Sequence, residues 1–109
     1  MRIENHTASA VVATVTDAVC VSGYPEETTI AAGRERMLSL IPRASIAACV
    51  AGRANAYVVF GASGRKIGHV SVAETAAGAW FTKAAPRSGF CIATRRTLGE
   101  ETIAIRECP

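Results

Sequence analysis

The chain has 109 residues, half of them hydrophobic but only 6% aromatic, with 12 Lys/Arg against 9 Asp/Glu for a formal charge of +3. That length bounds it to one domain, residues 1–109, and the charge, scattered along the chain mostly as arginine, is too mild to imply nucleic-acid or membrane binding by itself, so no nucleic-acid partner is expected. No run of 18 apolar residues occurs, so no transmembrane span is expected.

Residues 1–7 form a short strand candidate, and Asn5-His6-Thr7 matches an N-glycosylation acceptor. The plainer reading of the triplet is a turn built on Asn and Thr side chains. Residues 10–16 alternate Val11, Ala13 and Val15 against Val12, Thr14 and Thr16, which is a strand pattern. Asp17-Ala18 leads into Val19-Cys20-Val21, and residues 22–25 read as a turn.

Residues 26–41 support two readings. Pro25, Glu26 and Glu27 at the start, spaced apolar residues and Pro42 as a stop describe a helix at about 25–41. The Ala31-Ala32-Gly33 break and the alternation of Leu38 and Leu40 against Met37, Ser39 and Ile41 favour two strands joined by a glycine turn.

Residues 45–73 read as a three-stranded meander over 45–51, 55–60 and 66–72 with glycine-bearing turns. A loop of Gly52-Arg53-Ala54 would pair Ala51 with Asn55, putting Ala56, Val58 and Phe60 on a core face opposite Tyr57 and Val59. In the third strand Val70 and Val72 alternate with His69 and Ser71. Residues 72–85 are again double-natured: Ser71 and Glu74 suggest a capping box for a helix at about 72–85, whereas Gly78 favours a turn at 76–78 and a strand over 79–83. The preferred fold class is therefore all-β, a small antiparallel sandwich of roughly 7–9 short strands, with α+β as the alternative.

Cys20, Cys49, Cys91 and Cys108 lie far apart with no CxxC and no Cys/His cluster, so neither a metal site nor a cofactor is expected. An even count in a small β-rich chain suggests two disulfides and an exported protein, secreted or periplasmic in its mature form, with no signal peptide in the sequence. The alternative is a cytoplasmic, structural or self-associating subunit with reduced thiols. A terminal hairpin of residues 88–97 and 101–108 turning at Gly99-Glu100 sets Cys91 directly opposite Cys108 and gathers Phe90, Ile92, Ile103 and Ile105 on one face. Cys20 with Cys49 then follows by elimination. The half-cystines would face away from the apolar set, so either the far side of that hairpin is covered as well or the connectivity is another of the three that four cysteines allow.

Catalytic groups are few. His6 and His69 are the two histidines and Asp17 the one aspartate. A relay of Ser63 or Ser71 with His69 and Asp17 can be drawn, defining a small hydrolase as an alternative function, but no nucleophile-elbow motif supports it. Gly61-Ala62-Ser63-Gly64-Arg65-Lys66 fails the phosphate-loop spacing and reads as a hairpin turn able at most to bind an anion. What remains are recognition features: Trp80-Phe81, one of whose rings must point outward on a strand, Tyr57 as a possible stacking platform, and Arg53, Arg65, Lys66, Arg87, Arg95 and Arg96 in or beside turns. These residues point to a binding module, inhibitor-, lectin- or effector-like, that recognises a protein or glycan through sandwich loops and is not an enzyme.

Overall fold

The computed structural model describes residues 1–42, 49, 53–75, 80–97 and 99–109. Eleven strands run in chain order among them: β1 (Arg2–Asn5), β2 (Val11–Val19), β3 (Val21–Ser22), β4 (Glu27–Ile30), β5 (Glu35–Met37), β6 (Ile41–Pro42), β7 (Asn55–Ala62), β8 (Arg65–Glu74), β9 (Trp80–Pro86), β10 (Phe90–Thr97) and β11 (Glu100–Glu107). They form a four-stranded sheet ordered β10-β11-β1-β5, a five-stranded sheet ordered β4-β2-β7-β8-β9, and the small pair β3-β6. The protein is an all-β sandwich, and the helical alternatives at 25–41 and 72–85 are corrected. Glu27–Ile30 and Glu35–Met37 are strands on either side of Gly33, and Trp80–Pro86 is a strand. The turn expected at 76–78 lies outside the described residues.

Alternation decides which side of each sheet is dry. Ala56, Val58 and Phe60 of β7 and Ile67, Val70 and Val72 of β8 face Ile3, Ile92, Ile103 and Ile105 of the other sheet, and Val11, Ala13, Ile30, Leu38 and Leu40 complete one apolar cluster. Burial of each such aliphatic side chain contributes about 1.5–3 kcal/mol. The expected face of Leu38 and Leu40 is the buried one, while Met37 and Ile41 are exposed.

The meander is only half as expected. β7 and β8 form the hairpin, with Ala62 opposite Arg65 and a two-residue turn of Ser63 (φ 52°) and Gly64 (φ 75°). Positive φ at both central residues makes this a type I′ turn, whose twist matches that of the flanking strands. The other edge of β7, however, is taken by β2, with Ala13 opposite Phe60 and Val15 opposite Val58. Both edges of β7 are thus taken, by β2 and β8, and residues 45–51, apart from the buried Cys49, lie outside the described residues. The long apolar run of β2 competes for that edge and wins it with a nine-residue strand.

Both expected disulfides form, Cys20–Cys49 and Cys91–Cys108. The terminal hairpin's register is shifted by two, so that Cys91 faces Arg106 and not Cys108. Thr97 pairs with Glu100, which puts Gly99 (φ 78°) at the second loop position, where its freedom of φ is used. Cys108 leaves the ladder after Glu107, donates its N–H to Gly89 O at 3.0 Å and reaches Cys91 diagonally. A shift of two preserves faces, so Ile92, Ile103 and Ile105 stay inside. The half-cystines are themselves half-buried on the outer side, which corrects the expectation of a second covering layer there.

Two seams hold the sheets together. At the first, Asn5 of β1 is 1% exposed, and its side-chain amide donates to Ser9 O and to Ile30 O of β4, both at 2.9 Å, while its Oδ1 accepts from Thr7 N (2.9 Å) and Thr7 Oγ1 (2.7 Å). The Asn5-His6-Thr7 triplet is thus the Asn/Thr turn, with the acceptor nitrogen buried. Main-chain bonds from Asn5 N to Arg34 O and from Gly33 N to Asn5 O fix the crossing from β4 to β5 beside it. At the second seam, Thr82 Oγ1 of β9 donates to Glu101 Oε1 of β11 at 3.2 Å, and Arg96 Nη2 of β10 donates to Trp80 O. Near this seam burial lowers the pKa of the Met1 amino group, with Glu100 and Glu101 acting in the opposite direction.

Gly68 sits against Ile92 of the other sheet and the end of β9. One extra residue in β8, Ile67, bulges between the Phe60–Gly68 and Gly61–Lys66 pairs and turns its side chain into the core. Gly68 has φ 151°, and a Cβ there would stand 2.9 Å from Pro86 Cα, 3.0 Å from Ala85 O and 2.7 Å from Ile92 Cδ1. We predict that G68A loses about 2–4 kcal/mol of stability in urea titration, from strain plus overpacking. G64A, whose Cβ would meet nothing, should lose only about 1 kcal/mol. An N5D variant keeps the shape of Asn5 but removes both donors, taking the amide from Ile30 O and leaving Ser9 O only the Thr7 hydroxyl. It should cost at least ~2 kcal/mol, and a melting curve indistinguishable from wild type would show that the seam does not depend on the amide.

Candidate functional site

The outer faces of the two sheets are chemically unlike. On the four-stranded sheet, Arg2 lies 3.1 Å from Glu100 and 3.8 Å from Glu35, and Glu4 lies 3.1 Å from His6 and 3.4 Å from Arg95. Charges alternate across neighbouring strands, so this face reads as a solvated one.

The outer face of the five-stranded sheet is built from cross-strand rows. Val19, Asn55, Ala73 and Phe81 make one row; Thr16, Tyr57, Ser71 and Lys83 the next; Thr14, Val59, His69 and Ala85 a third. At about 4.8 Å per strand, Val19 and Phe81 stand roughly 14 Å apart with Tyr57 between them one row on. Val19 is 50%, Tyr57 44% and Phe81 62% exposed, so the row is open to solvent. Of the Trp80-Phe81 pair the outward ring is Phe81; Trp80 faces inward and packs against the core, which removes it as an exposed platform.

A bulge in β2 shapes the edge of this surface. Thr16 pairs with Tyr57 and Val19 with Asn55, so three residues of β2 span two of β7, and Asp17 takes up the strain at φ 51°. Asp tolerates this left-handed region better than most side chains. Thr16, Asp17, Tyr57, Val59, Lys66 and His69 line an open depression of about 380 Å³. Its main internal contact is aromatic: the His69 ring meets Tyr57 edge to face at 5.6 Å and 82°.

Asp17 and His69 of the drawn catalytic relay thus share one depression, but the relay's contacts are not made. Ser71 Oγ donates to Lys83 O at 3.4 Å, Ser63 is a turn residue, and among the described residues His69 has no hydrogen bond to a serine or carboxylate. The arrangement offers an aromatic and cationic surface and no activated nucleophile.

The six candidate cations separate. Arg65, Lys66 and Arg87 come together around a depression of about 430 Å³ with Ser88 and Phe90. Two turns bring them there, locked by Arg87 N donating to Ile67 O at 2.9 Å. Arg95 is ion-paired with Glu4 on the opposite sheet, and Arg96 is engaged at the seam. Arg53 stands at the far end of β7, its carbonyl accepting from Asn55 Nδ2.

Sequence reasoning overlooked Val19, Lys83, Ser88 and Phe90 as parts of a surface. Val19 joins Phe81 only through the β2–β7 and β7–β8 registers, and the one local signal was an aspartate interrupting an otherwise β-branched run. No protein-family model matches the chain, and no characterised protein or solved structure is significantly similar to it.

Proposed function

We propose that the chain is an exported, non-catalytic binding module that engages a protein partner through the outer face of its five-stranded sheet. The observation that carries this reading is the solvent-exposed grouping of Val19, Tyr57 and Phe81 on a sheet face whose counterpart on the other sheet is laced with ion pairs. Aromatic side chains on a rigid support lose little conformational freedom on binding and dominate interface energetics. Lys83 beside them and Lys66 and His69 further along supply a polar rim.

The cross-links support the exported reading. Two disulfides, with no free cysteine among the described residues, fit an oxidising environment and disfavour the reduced-thiol subunit. Among the described residues no helix is long and apolar enough to cross a membrane.

The test is affinity capture from the extracellular fluid or periplasm of the source, comparing wild type with the double variant Y57S/F81S, followed by titration of the captured protein. Both side chains leave the core untouched, so the melting temperature should hold while affinity falls at least tenfold, as for loss of one or two interface anchors. A partner that binds the double variant as tightly as wild type sinks the proposal.

A further inference from the structure

We infer a second binding site, for a sulfated glycan, at the end of the sandwich where Arg65, Lys66 and Arg87 meet. It adjoins the sheet face proposed above, sharing Lys66 with it, and reads a different chemistry. On the four-stranded sheet Arg2 and Arg95 are matched by Glu35, Glu100 and Glu4. Arg65, Lys66 and Arg87 have no carboxylate partner among the described residues, yet they line one depression. Like charges brought together without a counter-ion repel one another, and an anionic ligand relieves that cost.

The arrangement is held by the main chain. The type I′ turn at Ser63-Gly64 delivers Arg65 and Lys66, and the bond from Arg87 N to Ile67 O pins the β9–β10 connection against the same bulge. Cys108 N bonded to Gly89 O, with the Cys91–Cys108 bridge behind it, anchors the far side of that connection. The cations are therefore displayed on tied turns, which lowers the ordering cost of capture.

Three features favour a sulfated sugar over other polyanions. Two guanidinium groups, each able to hold two oxygens of one sulfate, and an ammonium surround a depression of about 430 Å³, ample for one ester-bearing sugar ring. Ser88 and the half-buried Phe90 in the same lining supply a hydroxyl and an apolar surface, the pair of contacts a pyranose uses. The turn tips Ser63-Gly64 and Ser88-Gly89 carry no apolar wedge of the kind that anchors a protein in a lipid interface.

The experiment is calorimetric titration with a heparin hexasaccharide, its fully desulfated counterpart, an acidic hexapeptide, and vesicles containing a phosphoinositide. Wild type should bind the sulfated hexasaccharide with affinity that falls as salt rises, and should not bind the desulfated one. R65Q/R87Q should lose at least tenfold and show a shallower salt dependence, K66Q less, whereas R106Q, which removes the same kind of charge from an exposed position on the other sheet, should bind as wild type. Y57S/F81S should also bind as wild type, which separates this site from the sheet face. The proposal is overturned by absence of binding to wild type, by equal loss in R106Q, which would indicate diffuse attraction, or by a preference for the vesicles or the peptide over the sulfated sugar.

Discussion

A single buried amide holds this sandwich in register. Asn5 belongs to β1, yet it donates to Ile30 O at the end of β4 in the opposite sheet and to Ser9 O in the loop that begins the return, while its oxygen is saturated by Thr7. A primary amide has two donor hydrogens and two acceptor lone pairs, and here all four are used. Full satisfaction makes burial of so polar a group tolerable, and it makes the site selective, because no other side chain of that size offers two donors and two acceptors at those places. The same amide ties the β1–β2 loop to β4, and the main chain of the same residue holds the turn from β4 to β5.

The rest of the fold distributes chemistry around that frame unequally. One outer face is neutralised internally by alternating carboxylates and guanidiniums, and the other offers aromatic and aliphatic surface on strands whose inner side is fully packed. Rigidity on one side and exposure on the other is the combination a binding surface needs, since the core fixes the strands and leaves only side-chain rotamers to be ordered by a partner. The cationic corner extends the same logic to the turns, where the bulge at Ile67 and the contact at Gly68 bring two connections into one place.

Period-two alternation made most of this architecture legible. The inward sets Ala56-Val58-Phe60, Val70-Val72 and Ile103-Ile105 could be read directly, as could the outward fate of one ring of Trp80-Phe81 and both disulfide pairings. Three things could not be read. The partner of β7 was misjudged because proximity in the chain favours a local hairpin, and nothing local announces that a strand some forty residues earlier has the better apolar match. The terminal register was out by two because a glycine suits either loop position, and a slip of two leaves the hydrophobic pattern unchanged. The candidate surface was recovered residue by residue but not as a surface: Tyr57, Phe81 and Lys66 were named, while Val19 and Lys83 join them only once three strand registers are known.

The seams also govern how the molecule behaves toward its own kind. An exposed strand at the margin of a sheet invites another chain to extend it, the route to fibrous aggregates. Here the same contacts that stitch the sheets occupy those margins: Ile30 O and Thr29 O of β4 accept from Asn5 and Arg36, Trp80 O of β9 accepts from Arg96, and β5 is three residues long with two of them charged. Pro86 ends β9 without a donor. In a chain with 50% hydrophobic residues and little net charge, those edge groups are thereby closed to backbone pairing with another chain.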